Sequence, residues 1–203
     1  SLRSRSPEAV RRDQSAAAIE QARQALIAWS LSRDGTSSGR GLSPVELPCP
    51  ADPNAVGNLI GESVGFSCAG SSAQWRIGHL PWRTLGIVRI TDAYGEPLWY
   101  AVDQQFAVRF QANTARRVNS DSLATLQVFA ADGVSNLSLN GETAAAVIFA
   151  AGPPVAGQNR VNPLAANQYL EGVNGQNNAT LGGAYIAGNL SSNFNDQLGV
   201  ITG

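Results

Sequence analysis

The sequence predicts an α+β fold in which one long N-terminal helix packs on a small antiparallel sheet. Three features of the chain lead to this prediction. Residues 7–33 form a polar-and-alanine stretch without a break, residues 97–150 contain several short apolar segments, and glycine, serine, proline and asparagine are frequent in residues 34–96 and 151–203. Because 203 residues suffice for one buried core, we expect residues 1–203 to form a single globular domain.

The predicted helix of residues 7–33 has recognisable signals at both ends. Ser6 is a suitable N-cap, Pro7 fits the first helical turn, and Glu8 complements the positive end of the helix dipole. Gly35 is expected to end the helix, since glycine is the preferred residue just after a helix C-terminus.

One face of this helix is predicted to pack on the sheet. Apolar residues at 3-4-3 spacing lie on one side of an α-helix. They are Ile19, Ala22, Leu26 and Trp29. The N-terminal half of the helix is polar around residues 11–13, and Val10 is the only sizeable apolar residue in that half. We therefore expect the N-terminal half to project from the globular part.

Residues 34–96 are predicted to form a loop region that is held by a disulfide. Cys49 and Cys68 lie 19 positions apart in a turn-rich stretch, without the further ligands that a zinc site needs and without a CxxC motif. A disulfide between them would indicate an oxidising compartment. The alternative is a pair of free buried thiols in a cytosolic protein. Residues 81–85 are expected to form one short helical turn.

The predicted sheet lies within residues 97–150. Segments rich in branched or aromatic residues indicate five strands. These are residues 97–102, 106–110, 123–130, 134–139 and 143–150. Asp132 and Gly133 form a typical hairpin turn between the third and fourth, and the continuous apolar run of the fifth indicates a buried central strand.

Residues 151–203 are predicted to be irregular. Asparagine and glycine recur there, as in residues 174–178 and 181–183. We expect this low-charge tail either to wrap the edge of the sheet or to offer a contact surface.

The sequence contains no recognisable catalytic or cofactor-binding constellation, so no enzyme activity, metal or cofactor is predicted. His79 is the one histidine, which leaves a Ser-His-Asp or Cys-His system without a base unless His79 serves. Asp121, Asp132 and Asp196 could join a calcium site together with backbone carbonyls, but their spacing is not diagnostic of one, so this alternative is the less favoured one. Net charge is -1 and charged residues make up 14%, which does not favour nucleic acid binding through bulk charge.

A turn of residues 92–97 is expected to lead into the first predicted strand. Asp92 and Tyr94 precede Gly95, which supplies the positive φ that such a turn requires, and Pro97 can begin a strand. The nearby aromatic residues fit either a stacking platform for a sugar or base, or the filling between helix and sheet, which we favour. They are Trp82, Tyr94, Trp99 and Tyr100.

Several segments along the chain carry a resemblance to one family. They are Leu47-Pro48-Cys49-Pro50, Cys68, the Leu-Pro-Trp-Arg-Thr-Leu-Gly of residues 80–86, the Asp-Ala-Tyr-Gly-Glu-Pro-Leu-Trp-Tyr of residues 92–100, and residues 169–172 and 194–198. In this order they resemble type IV pilin-like proteins, the family of pilins, minor pilins and type II secretion pseudopilins.

The resemblance implies a structural subunit. In this family a hydrophobic helix follows a cleaved leader, so we expect such a helix before residue 1, anchoring the precursor in the inner membrane with a periplasmic head. The new N-terminus would be methylated. Inner-membrane assembly machinery would then insert the subunit, with other pilin-like subunits, into a periplasmic pseudopilus or a cell-surface pilus. The head without its anchor is expected to be a monomer.

An alternative function within the same fold is a binding module at a fibre tip, for DNA, a glycan or surface adhesion. Arg116 and Arg117 form a small basic patch that could contact DNA, although a solvated loop is the favoured interpretation.

Overall fold

The computed structural model describes residues 5–32, 45–65, 68, 77–108, 122–137 and 143–202. Within these residues one α-helix is followed by eight short strands. The elements are α1 (Pro7–Leu31), β1 (Ile77–His79), β2 (Trp99–Val102), β3 (Gln127–Phe129), β4 (Ala144–Ala150), β5 (Gly172–Val173), β6 (Gln176–Asn177), β7 (Ala184–Ile186) and β8 (Gln197–Thr202). Short 3-10 helices occupy Gly57–Leu59 and Ala166–Gln168.

Helix α1 begins where the capping residues predict. The Ser6 side chain accepts a hydrogen bond from the N–H of Ala9 at 3.2 Å, and Glu8 lies in the first turn. The helix ends at Leu31, two residues before the predicted end, and Gly35 lies outside the described residues. Among the described residues, no helix combines the length and the apolar character needed to cross a membrane.

The main sheet has four antiparallel strands in the order β1-β2-β4-β8. In register, Tyr100 of β2 lies opposite Ile148 of β4, which lies opposite Gly199 of β8. All seven residues of β4 are buried. The α+β architecture, the antiparallel sheet and the central strand at residues 143–150 are therefore confirmed.

Both faces of this sheet are covered, which explains why β4 is apolar throughout rather than alternating. On one face, Tyr100, Ile148 and Ile201 share a core with Ile19 and Leu26 of α1. The other face contributes side chains to a second core, whose covering residues come from two later parts of the chain, residues 126–129 and 169–186, called here the outer layer. The second core contains Trp99, Val147, Phe149, Leu126, Val128, Tyr169, Leu170 and Tyr185.

Two strands of the main sheet lie where the sequence predicted none. Strand β1 falls within the predicted loop region of residues 34–96, and β8 falls within the predicted irregular region of residues 151–203. Only three residues of β1 pair, which is too few to produce a periodic signal. Strand β8 lies next to β4 at the edge of the sheet and contacts α1, so the tail does more than wrap the edge: it supplies a strand.

Three predicted strands differ from the observed ones. Within residues 123–130 the strand is limited to β3, which pairs in parallel with β7 outside the main sheet. Within residues 134–139, Asn136 makes a single bridge to Phe129 across the predicted turn. Within residues 106–110, Ala107 makes a single bridge to Leu47, and residues 109 and 110 lie outside the described residues. Strand β3 and Ala107 pair with segments that are distant in sequence, which local alternation cannot reveal, whereas Asn136 pairs locally across the predicted turn without extending into a strand.

Candidate functional site

The buried stripe of α1 lies against β4 and β8. Ile19, Ala22 and Leu26 are buried with at most 6% of their surface exposed. Trp29 is half-buried, and Ser30 occupies the buried position of the last turn. The stripe continues at Ser30 rather than at Trp29 because an α-helix has 3.6 residues per turn. Ser30, four positions after Leu26, therefore lies closer to the same face than Trp29, three positions after it.

The approach of β8 to α1 is close at Gly199. A Cβ atom at this position would lie 2.4 Å from Cγ2 of Ile19. A side chain therefore does not fit between strand and helix here, and the glycine that made the tail look irregular is what allows β8 to pack under α1.

The predicted disulfide between Cys49 and Cys68 is confirmed. The two Cα atoms lie 5.7 Å apart, and both residues are buried in the core shared by α1 and the sheet. Tyr100, fully buried on β2, donates a hydrogen bond to the carbonyl of Pro48 at 3.1 Å, which ties the segment before Cys49 to the sheet. The disulfide thus links the first loop region to the core.

The predicted turn after Leu80 also forms, since the N–H of Leu85 donates to the carbonyl of Pro81 at 3.0 Å.

The turn of residues 92–97 is organised by the buried carboxylate of Asp92. Its Oδ1 accepts hydrogen bonds from the N–H groups of Tyr94 and Glu96, both at 2.9 Å, and its Oδ2 accepts one from Gly152 at 2.9 Å. Gly95 has a φ of 84°, the positive value that the turn requires. Pro97 bridges to Thr91 just before β2.

This turn packs against the N-terminal half of α1, so the prediction that this half projects freely is wrong. The Tyr94 hydroxyl donates a hydrogen bond to the Glu8 carboxylate at 2.8 Å, and the Arg11 guanidinium lies 5.5 Å from the Tyr94 ring centroid. The N–H of Ala93 donates to the hydroxyl of Ser15 at 3.1 Å. Burial, followed by the hydrogen bond to Glu8, raises the pKa of Tyr94. The polar residues of the first helical turns are partners of the turn.

Arg160 connects this turn to the C-terminal part of the chain. Its Nη1 lies 3.0 Å from the Glu96 carboxylate and donates to the carbonyl of Gly152 at 2.8 Å. Its Nη2 donates to the Gln158 side chain at 3.0 Å, and the guanidinium lies 5.1 Å from the Tyr169 ring centroid. The side chain of Arg160 is 9% exposed, so a nearly buried cation joins several segments.

Beyond Gln158 lie two buried carboxyl groups. Glu171 Oε1 accepts a hydrogen bond from the Gln158 side chain at 2.6 Å, and Glu171 Oε2 accepts from the N–H groups of Asn195 and Asp196 at 2.9 and 3.2 Å. Asp196 Oδ2 accepts from the N–H of Glu171 at 2.8 Å and from the Asn178 side chain at 2.9 Å. Each of the two acidic residues therefore binds the backbone of the other.

Asn178 extends this arrangement into the outer layer. It is fully buried, its side chain donates to the carbonyl of Ile186 at 3.1 Å, and it accepts from the N–H of the same residue at 2.8 Å. Since Ile186 ends β7, the two carboxyl groups are linked through one amide side chain to the small parallel sheet.

Sequence reasoning missed Arg160, Glu171, Asn178 and Asp196 as site residues. A weak signal was present for Glu171 and Asp196, because both lie in segments that carry the family resemblance, each two residues after an aromatic residue, Tyr169 and Phe194 respectively. Because aspartate and glutamate are mostly exposed unless they are paired, this spacing alone does not identify a buried network.

The aromatic residues near the turn fill the interior more than they form a platform. Trp99 and Tyr100 are at most 1% exposed, whereas Trp82 and Tyr94 are half-buried. His79 meets Trp99 edge-on at 4.8 Å. Burial lowers the pKa of His79 to about 4, with a further contribution from Arg89, so the imidazole is neutral near pH 7.

The remaining site predictions concern metals and DNA. Among the described residues, no group of three or more histidine, cysteine, aspartate or glutamate side chains could hold a metal ion. Arg116 and Arg117 lie outside the described residues, as does Asp121.

No protein-family model, curated protein or solved structure matches this chain. The resemblance to pilin-like proteins therefore rests on the sequence segments themselves, several of which meet in the contacts described above.

Proposed function

We propose that this chain is a structural subunit of a type IV pilin-like fibre, either a minor pilin or a pseudopilin. The observation that carries the proposal is the way α1 packs. The 25-residue helix uses one stripe against an antiparallel sheet, while its opposite side, including Ala16, Ala17 and Gln21, stays exposed. A helix with one side free can be covered by neighbouring subunits.

The meeting of the family segments supports the same proposal. The turn of residues 92–97 contacts α1 and, through Arg160, reaches the segment of residues 169–172, which in turn bonds the segment of residues 194–198. The segments that carry the resemblance thus hold one scaffold together, and a rigid head of this kind suits a subunit that presents fixed surfaces to its neighbours. The oxidised cysteine pair fits a periplasmic head.

The partners in this proposal are other pilin-like subunits and the inner-membrane machinery that inserts them. Before assembly the subunit would be held at the inner membrane by a hydrophobic segment upstream of residue 1. After assembly it would lie in a periplasmic pseudopilus or a cell-surface pilus.

Mass spectrometry of the native protein from its own membranes tests the proposal. With the leader peptidase active we expect a shortened chain with a methylated N-terminus, and without it an unprocessed precursor. An N-terminus cut by a conventional signal peptidase in both strains would contradict the proposal and favour a secreted binding module.

A pair of variants tests the role of the exposed helix side. Ala17→Arg places a charge on the exposed side of α1, whereas Ala156→Arg places the same charge on an exposed loop. Both purified heads should melt at the temperature of the wild type. We expect Ala17→Arg to be lost from the sheared fibre fraction and Ala156→Arg to be retained. Equal incorporation of both variants would refute packing through this side of the helix.

A further inference from the structure

Among the described residues, no cationic side chain directly contacts the buried pair of Glu171 and Asp196. Both residues are buried, at 6% and 4% exposure, and each binds a main-chain N–H of the other. Two ionised carboxylates placed this close repel each other, and burial removes the water that would screen them. The pair therefore needs a compensating positive charge or a bound proton.

The charged groups around the pair do not supply that compensation. Arg160 lies nearest in the hydrogen-bond network, but it reaches Gln158 rather than either carboxyl and is paired with Glu96. Asp92, which binds the N–H of Gly152 on the same side, adds a further negative group. Asn178 is neutral and donates a single hydrogen bond to Asp196.

The hydrogen-bond donors are divided unequally between the two carboxyl groups. Three N–H donors reach Glu171, and they cover both of its oxygens. Two donors reach Asp196, and both of them bind Oδ2. Asp196 Oδ1 is buried and accepts no hydrogen bond. An oxygen that receives several donors is stabilised as a carboxylate, whereas an oxygen without donors is the one that can carry a proton.

A metal ion would require more free ligands than the pair offers. Calcium takes about six to eight oxygen ligands and magnesium about six. Only Asp196 Oδ1 remains without a partner among the carboxyl oxygens of the pair. A proton needs a single oxygen and therefore fits this geometry.

We propose that one of these two carboxyl groups is protonated at neutral pH, with the proton on Asp196 Oδ1, and that loss of this proton loosens the outer layer from the main sheet. Glu171 accepts hydrogen bonds from the backbone of residues 195 and 196 through both states of Asp196. The neutral Asp196 keeps its bonds to Glu171 and Asn178, and Asn178 holds Ile186 of β7. Ionisation of Asp196 would place two negative charges at this junction.

The direction of the pKa shift agrees with this arrangement. Burial and, after it, the negative charge of Glu171 raise the pKa of Asp196 well above its usual value. A group whose pKa is higher in the folded than in the unfolded chain binds more protons when folded, so its contribution to stability is full below the unfolded pKa and is lost as pH rises through the folded pKa.

Urea unfolding of the whole chain as a function of pH tests the proposal, with Asp196→Asn as the variant that mimics the neutral acid. In the wild type, the folding equilibrium constant should fall by up to about tenfold per pH unit across a window above about pH 4. The asparagine variant should lack this component of the slope and fold at least as well as the wild type near pH 7. Equal slopes in the two proteins would overturn the proposal.

Glu171→Gln locates the proton. Its amide keeps one acceptor oxygen but replaces the other by an NH2 group, which would face one of the N–H donors that now bind the carboxylate, so this variant should be less stable than Asp196→Asn at every pH. The reverse order, with Asp196→Asn the more damaging change, would place the proton on Glu171 and overturn the assignment.

Three further measurements probe the pair in the folded wild-type protein. The ¹³C shift of the Asp196 carboxyl, assigned by its absence in Asp196→Asn, should be that of a neutral acid at pH 7, and a carboxylate shift would overturn the proposal. Added calcium and added chelator should leave the melting temperature unchanged, whereas a calcium-dependent rise would show that a cation compensates the pair.

Amide exchange at high pH should accelerate at residues 178 and 186 relative to α1 in the wild type but not in Asp196→Asn. An equal effect in both proteins would overturn the proposed loosening.

Discussion

Gly199 is the position where a single added carbon should disturb the docking of α1 on β8. A Cβ at this position would lie 2.4 Å from Cγ2 of Ile19, well inside the distance that two carbons tolerate. Ile19 is buried and cannot move outward without leaving the core. Overpacking of this kind costs about 1–3 kcal/mol, so we expect Gly199→Ala to lower the free energy of unfolding by about 2 kcal/mol.

The sign of this change is diagnostic. At a position with free space, replacing glycine by alanine stabilises a protein by about 0.4–1 kcal/mol, because the unfolded chain loses conformational freedom. Urea unfolding monitored by circular dichroism measures the difference. A neutral or stabilising Gly199→Ala would refute the close approach of β8 to α1.

A matched pair of backgrounds identifies the atom responsible. Ile19→Val shortens the side chain but retains Cγ2, whereas Ile19→Ala removes it. Gly199→Ala should remain costly with valine at position 19 and should become less costly with alanine there, by about 1 kcal/mol or more. An equal cost in both backgrounds would assign the strain to another contact.

Two further predictions concern the disulfide and Arg160. Replacing Cys49 and Cys68 together by serine should lower the free energy of unfolding by about 3 kcal/mol. The disulfide joins residues 19 positions apart and so restricts the unfolded chain. Thermal melts of the wild type with and without reductant should reproduce the loss, and the double variant should not respond to reductant. Arg160→Ala should cost about 2–4 kcal/mol by leaving buried carbonyls without donors. Arg160→Lys, which keeps the charge but not the planar fork, should recover less than half of this loss; full recovery in urea melts would show that charge alone matters.

The parts of the fold that the sequence predicted are those with strong local signals. The start of α1 depends on Ser6, the adjacent proline and Glu8, all of which act within one turn. The run of residues 144–150 is apolar throughout because β4 is buried on both faces. The disulfide was predictable because the two cysteines have neither further metal ligands nearby nor the spacing of a CxxC motif.

The parts that it missed depend on contacts between distant segments. Strand β8 contains Gly199, which lowers any local strand signal but is required by the approach of Ile19. Strand β3 pairs with β7, more than fifty residues later, so its partner cannot be found by searching for a hairpin. The carboxyl pair likewise joins Glu171 to Asp196 across 25 positions, and neither side chain alone has a spacing that identifies a site.

The packing of α1 on β8 has a consequence for how the chain folds. The helix is the first described element and β8 is the last, so the surface on which α1 rests is completed only after β8 has been synthesised. A contact between such distant segments raises the contact order, which slows folding. Until β8 pairs, part of the apolar stripe of α1 and one edge of β4 remain uncovered, and such surfaces favour aggregation. We therefore expect chains shortened within β8 to need a chaperone for longer than the complete chain does.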